Sequence, residues 1–243
     1  MRRFASILFL LAVAAFVTAV HADAAPPRVL VFSKTEGWRH DSIPVAVETL
    51  RRLVGEAGMA MDATEDSSAF DAANLARYRI VVFANTTGDV LDPAQQRALE
   101  TFVRRGGGFL GVHSAADTEH DWPWYGQLVG AYFRTHPPGL QASRVQPERD
   151  GEPVGDGWPA RDELYNYADN PRPRVRVVAT VDERAYEGGT MGADHPIAWC
   201  RAFDGGRAWY TGLGHDRTIY ARPEFLAQLR QGLRYAAGRS DDC

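Results

Sequence analysis

Three short apolar runs constrain the fold more than any other feature: Arg28-Val-Leu-Val-Phe-Ser33, Arg79-Ile-Val-Val-Phe-Ala84 and Phe109-Leu-Gly-Val112. None alternates apolar with polar residues, and each ends in a polar turn, the pattern of a strand buried on both faces of a parallel sheet. Between them the apolar residues fall at helical spacing. Ser42 and Pro44 signal a helix start, followed by Ala46, Leu50, Leu53 and Val54 and closed by Gly55 and Gly58. Asp92 caps another helix, with Pro93 at its first position and Gln95 at its third, a capping box. Ala98, Leu99, Phe102 and Val103 form its inner face, and Gly106 to Gly108 end it. Met59 to Thr64 reads as a short second strand and Ser67 to Tyr78 as a weak helix or loop. This alternation predicts an α/β protein with a doubly wound parallel sheet and helices on both faces.

Farther on, Asp121 to Val129 reads as an aromatic-rich helix start. Residues 134–173 are rich in Pro, Gly and charge and read as an elaboration of the same domain. Val175 to Val181 is a strand. Ile197 to Phe203 and Arg207 to Thr211 pair around the turn Asp204-Gly205-Gly206, and Phe225, Leu226, Leu229 and Leu233 mark a closing amphipathic helix.

The first 24 residues read differently. Arg2 and Arg3 precede an apolar run from Ile7 to Val17, too short to span a bilayer, and Ala22-Asp23-Ala24 fits a cleavage site. Residues 1–24 are therefore expected to be a signal peptide and residues 25–243 a single domain, exported to the periplasm or secreted, with no membrane contact in the mature form. The formal net charge is −4, with no basic stripe, which argues against nucleic acid as a partner. Export permits a disulfide between the two cysteines, Cys200 and Cys243. Cys243 is the last residue, where chains are commonly loose, so the pair is expected to stay open.

Ligands in an open α/β sheet bind beyond the carboxyl ends of the strands. His40, His113 and His215 each fall in a loop after a strand, and their convergence at one sheet edge would make a site. Glu163, in Asp162-Glu-Leu-Tyr-Asn166, would join them as acid/base or as a ligand. Together the three imidazoles and the carboxylate would suit a divalent metal such as zinc. Asp117 orients His113, caps the next helix or meets the substrate. His195, in Asp194-His-Pro196, fixes a turn or reaches the substrate, and His136 reads as fixing a turn. Trp122, Trp124 and Tyr165 are either core or a stacking surface for a sugar, whose C–H faces are apolar and whose hydroxyls need partners. The Gly106-Gly107-Gly108 run precedes a strand, so it is not a dinucleotide fingerprint.

Seven motifs, among them Gly37-Trp-Arg-His-Asp-Ser-Ile43, Gly107-Gly-Phe-Leu-Gly-Val-His-Ser-Ala115, Asp121-Trp-Pro-Trp-Tyr125, Asp194-His-Pro-Ile-Ala-Trp199 and Tyr210-Thr-Gly-Leu-Gly-His215, resemble the ThuA-like (trehalose utilisation) family over residues 28–238. Leu164 stands where the family has a tryptophan. The resemblance implies a class I glutamine amidotransferase-like fold, with a flavodoxin-like, mostly parallel sheet. His113 then occupies the place of the nucleophilic cysteine, and an imidazole cannot form a glutamyl thioester, so glutamine hydrolysis is not expected. The resemblance further implies carbohydrate metabolism through keto-sugars. The expectation is an exported keto-sugar hydrolase, lyase or isomerase in which His113, His215, Glu163 and His40 carry the chemistry. The alternatives are a non-catalytic carbohydrate-binding protein and an accessory partner of a sugar dehydrogenase.

Overall fold

The computed structural model describes residues 25–243, so the signal peptide expected over residues 1–24 lies outside the described residues. The first half of the chain runs β1 (Arg28–Phe32), α1 (Ile43–Glu56), β2 (Ala60–Thr64), α2 (Ala72–Leu75), β3 (Ile80–Ala84), α3 (Pro93–Arg104) and β4 (Gly108–Val112). Then come α4 (Pro123–Val129), β5 (Phe133–Thr135), β6 (Gln141–Arg149), β7 (Glu152–Pro153), β8 (Trp158–Asp162) and β9 (Asn166–Tyr167). β10 (Arg176–Val181), β11 (Pro196–Phe203), β12 (Gly206–Thr211) and α5 (Pro223–Ala236) complete it.

The main sheet has the order β2-β1-β3-β4-β12-β11-β10-β6-β7, with β8 also on β6. β2, β1, β3, β4 and β12 are parallel neighbours in the flavodoxin order. Successive side chains of a strand face opposite ways. Val29 and Val31 accordingly pack with Leu50, Leu53, Phe225 and Leu229 on one face. Leu30 and Phe32 pack with Leu99, Phe102 and Tyr125 on the other. That is why these runs are apolar throughout.

Beyond β12 the sheet turns antiparallel. β11 and β12 form the expected pair, and β10, β6 and β8 follow antiparallel. Residues 134–173 thus extend the sheet and carry β8, whose carboxyl end reaches the parallel strand ends.

Local signals mostly act as expected. Asp92 and Gln95 make the full capping box, and Gly106 closes α3 at φ +91°. Gly108 is required by packing, because a Cβ there would strike the Ala236 carbonyl oxygen. Ser42 is an exception. It precedes α1 but makes no side-chain cap, and its hydroxyl instead donates to the Gly214 carbonyl at 2.9 Å.

The cysteines also depart from expectation. Cys200 on β11 is joined to Cys243 by a disulfide. The terminus is not loose: Arg207 donates to the Ser240 carbonyl at 2.8 Å, Arg176 donates to the Asp241 carbonyl, and Cys243 is buried. Closing a loop with a sequence separation of 43 is worth about 4 kcal/mol in the chain-entropy account. Cys243→Ser is expected to lower Tm by roughly 8–16 °C in non-reducing scans, at about 2–4 °C per kcal/mol for a chain of this size. A Tm equal to wild type would mean the bridge adds no constraint.

Candidate active site

His113 is the first residue after β4 and opens a 3-10 turn over His113–Asp117. Its φ is +50°, a left-handed conformation that costs a non-glycine residue about 1 kcal/mol or more and is concentrated at functional sites. Two contacts hold it there: Tyr210 Oη donates to its carbonyl at 2.8 Å, and its own Nδ1 donates to the Gly212 carbonyl at 2.8 Å. Its Nε2 lies fully buried 3.4 Å from Glu163 Oε2, with no aligned hydrogen-bond partner among the described residues. His215 Nδ1 is 3.2 Å from the same carboxylate oxygen and is likewise buried without an aligned partner.

His40 completes the group. Its ring stands edge-on to His113 and His215 at centroid distances of 4.8 and 5.0 Å, and its Nδ1 is 3.3 Å from Ser114 Oγ. One ligand atom from each of His40, His113, Glu163 and His215 lies within 4.8 Å of every other. The loops after β1, β4, β8 and β12 therefore converge as the strand-end positions of the three histidines suggest. Glu163 came from the segment whose elements are hardest to place by sequence, yet its position after β8 brings it into the same cluster.

Burial and the neighbouring imidazoles of His113 and His215 push the His40 pKa down to about 3, so His40 is neutral at pH 7 with a lone pair to give. Burial pushes the Glu163 carboxyl up, but the His113 and His215 imidazoles together outweigh it and hold Glu163 well below the usual carboxylate range. Glu163 raises His215 in turn. Two orphaned ring nitrogens on one ionised carboxylate, beside a neutral imidazole, form a donor set that fits a divalent cation.

The signs fix a pH dependence. Between pH 6.5 and about 3 the unfolded chain protonates its His40 while the native state does not, so stability falls as pH drops through that window. Glu163, depressed in the native state, adds a loss of the same sign below the ordinary carboxylate range. His215 acts oppositely, its contribution being complete below 6.5 and lost as pH rises through its raised value. In chelator-treated protein, Tm is expected to peak near neutrality and to decline as pH falls from 6.5 to 4.5. A flat profile would contradict the buried neutral His40.

Above the cluster opens a cavity of about 540 Å³. Trp38, Phe133 and Tyr165 supply its aromatic wall, and Asp117 and His136 its polar side, with His40, Glu163 and His215 at its base. His113 lies beneath Tyr165, ring to ring at 4.3 Å. His136 Nδ1 is 2.8 Å from the Pro137 carbonyl and 3.3 Å from Glu163 Oε1, which places the proton on Nδ1. Burial raises the Asp117 carboxyl, against the pull of His120, whose Nε2 is 3.0 Å away.

Trp122 and Trp124 do not line this cavity. They stack on each other at 5.1 Å, and their indole N–H groups donate to Glu100 and Asp204. His195 also lies outside it, fully buried. Its Nε2 donates to the Tyr165 carbonyl at 2.9 Å, while Nδ1 faces Glu183 at 2.8 Å and the Tyr186 hydroxyl at 3.1 Å. It supports Tyr165 from behind. Trp38, Phe133 and His136 line the cavity without having been singled out for a substrate. For Trp38 the available signal was its place two residues before His40.

Solved structures share this fold. A putative ThuA-like protein from Bacteroides uniformis superposes with a TM-score of 0.73 at 21% identity, over 93% of this chain and 96% of its own. A second from Parabacteroides merdae gives 0.70 at 20% identity, over 90% and 92%. A β-galactosidase from Bacillus circulans is similar at 0.52 and 15% identity, over 90% of this chain but 32% of its own. No curated protein matches the sequence. The ThuA family profile, described as trehalose utilisation, matches residues 28–236. That match runs from the first strand to the end of the last helix and takes in all four clustered side chains, and the chain belongs to the ThuA family.

Proposed function

We propose that this chain is an exported enzyme acting on a sugar or keto-sugar at the cavity above His40, His113, His215 and Glu163. The observation that carries the reading is that set of imidazoles gathered on one carboxylate, with two buried ring nitrogens that have no hydrogen-bond partner among the described residues. The four residues would hold a divalent cation such as zinc. When bound, such an ion polarises a carbonyl oxygen and lowers the pKa of a water molecule. His113 is sealed beneath Tyr165, so its role is to hold rather than to exchange protons with the substrate. Proton exchange falls to groups on the cavity wall. His136, with its Nδ1 proton committed to the Pro137 carbonyl and Glu163, keeps Nε2 as acceptor. Asp117, raised by burial, is on the same wall. Proton abstraction beside a ketone suits such groups.

Export is supported by the basic, apolar and small-residue pattern of residues 1–24 and by the disulfide, since such bridges persist in oxidising compartments. The same disulfide engages both cysteines, which leaves no thiolate for amidotransferase chemistry.

The test is elemental analysis of purified protein together with turnover on a panel of 3-keto-glycosides. Stoichiometric zinc and measurable turnover are expected, with turnover lost on chelation and restored by added zinc. Full turnover in metal-free protein would sink the metal-assisted reading. Sugar binding with no turnover on any member of the panel would favour the non-catalytic binding protein.

A further inference from the structure

We propose that Trp38 and Asp117 form a pyranose-binding subsite at the cavity, Trp38 supplying a stacking face and Asp117 a hydroxyl acceptor. The inference rests on the reading of the cavity as a sugar site and names the side chains that hold the ring. Trp38 is 72% exposed, and it and Val154 are the exposed large hydrophobic residues among those described. Of the two, Trp38 lines the cavity. Exposure alone is ordinary for a surface residue; what singles out Trp38 is that its exposed ring lies on the wall of the cavity over His40, Glu163 and His215.

The loop that carries it is braced. Glu36 N donates to the Thr87 carbonyl at 2.8 Å, the Thr87 hydroxyl donates to the Trp38 carbonyl at 2.9 Å, and Arg39 is paired with Glu65. A ring presented on a fixed backbone costs a ligand little ordering entropy. Asp117 is similarly set. His120 holds its Oδ1, and the His120 ring stacks on Tyr132 at 4.7 Å. Oδ2 makes no hydrogen bond among the described residues and remains free to accept one. A flat aromatic face and a fixed carboxylate lining one cavity match a pyranose, with its apolar C–H face and its rim of hydroxyls.

The experiment titrates the zinc-loaded full chain with methyl α-glucopyranoside, methyl β-glucopyranoside and trehalose. It follows tryptophan emission and calorimetric heat, with zinc content and Tm measured for every protein. At least one sugar is expected to shift the wild-type emission to the blue, because Trp38 is the exposed indole that a ligand would cover. Trp38→Ala should lose that shift and weaken binding about tenfold, a loss of about 1.4 kcal/mol. Trp38→Phe should restore most of the affinity. Asp117→Asn should weaken binding by a similar factor while keeping the shift. Zinc content and Tm should match wild type in all three variants. Equal affinity in Trp38→Ala, or no binding of any of the three sugars by zinc-loaded wild type, overturns the subsite and leaves the metal-centre reading standing. Sugar binding that depends on Trp38 in metal-free protein supports the subsite independently of the metal centre.

Discussion

Glu163→Gln is expected to lower zinc affinity by more than about 100-fold and to abolish keto-sugar turnover, while the far-UV spectrum stays that of wild type. Loss of an outer-shell partner alone typically costs about 10–100-fold in metal affinity, and Glu163 is placed as a ligand. Its Oε2 lies 3.4 Å from His113 Nε2 and 3.2 Å from His215 Nδ1, and its Oε1 lies 3.3 Å from His136 Nδ1. The amide keeps the shape of the side chain but not the charge that balances a dication among neutral imidazoles. It also brings an N–H group against ring nitrogens, one of which, on His136, already carries its proton toward that carboxylate. Competition titration with a chromophoric chelator gives the affinity, and turnover on 3-keto-glycosides gives the rate. Wild-type zinc affinity in Glu163→Gln would show that the carboxylate is not a ligand.

The reason Glu163 had to be inferred from composition, whereas His40, His113 and His215 could be placed, lies in the sheet. β1 and β4 are buried on both faces and read as apolar runs, so the loops after them are easy to locate. β12 carries the same kind of run, Ala208 to Tyr210. β8 is buried only at alternate positions, contains Pro159, and pairs only with β6, itself interrupted by Pro147. Its strand character comes from long-range pairing that no local pattern records. The aromatic residues divide for a related reason. The polar flanks of Trp122 and Trp124 suggest a ligand, but Glu100 on α3 and Asp204 in the β11–β12 turn satisfy their N–H groups, and neither ring lines the cavity. Trp38 has flanks just as polar, Glu36, Arg39, His40 and Asp41, and here they do mark a cavity wall, on a loop that Thr87 ties down through the Trp38 carbonyl. The Cys243 pairing was hidden likewise, since Arg176 and Arg207 reach the terminus from separate strands.

Asp162→Ala is expected to destabilise the protein by about 5 kcal/mol and to empty the cation site, although Asp162 touches neither the cavity nor the proposed ion. Asp162 is fully buried and accepts three backbone N–H groups: Gly214 at 2.7 Å on Oδ2, and Asp216 at 2.8 Å and Glu163 at 2.9 Å on Oδ1. Hydrogen bonds to a charged group contribute about 1.5–3 kcal/mol each, and removal strands three donors beneath the surface. The loss would lower Tm by roughly 10–20 °C at about 2–4 °C per kcal/mol. The geometry explains why the site should fail with it. One carboxylate ties the backbone of Glu163 to the residues on either side of His215, so it sets the spacing of two of the four converging side chains. The Gly214 carbonyl is fixed from the other side by Ser42 Oγ, Asn85 Nδ2 and Tyr220 Oη at 2.9, 3.1 and 3.1 Å. Burial raises the Asp162 carboxyl, against the pull of His113 and of the three N–H groups. In the folded state it therefore protonates at higher pH than in the unfolded chain, and as an isolated group it favours folding less as pH rises through that window. The destabilisation in Asp162→Ala should accordingly come from the three stranded donors, whose charge-assisted bonds are lost together. Asp162→Asn, which keeps one carbonyl acceptor for the Asp216 and Glu163 N–H groups but sets an N–H against Gly214 N, should recover part of the stability and none of the zinc affinity. If Asp162→Asn bound zinc as tightly as wild type, the carboxylate would be a fold element alone and not the part that spaces Glu163 from His215.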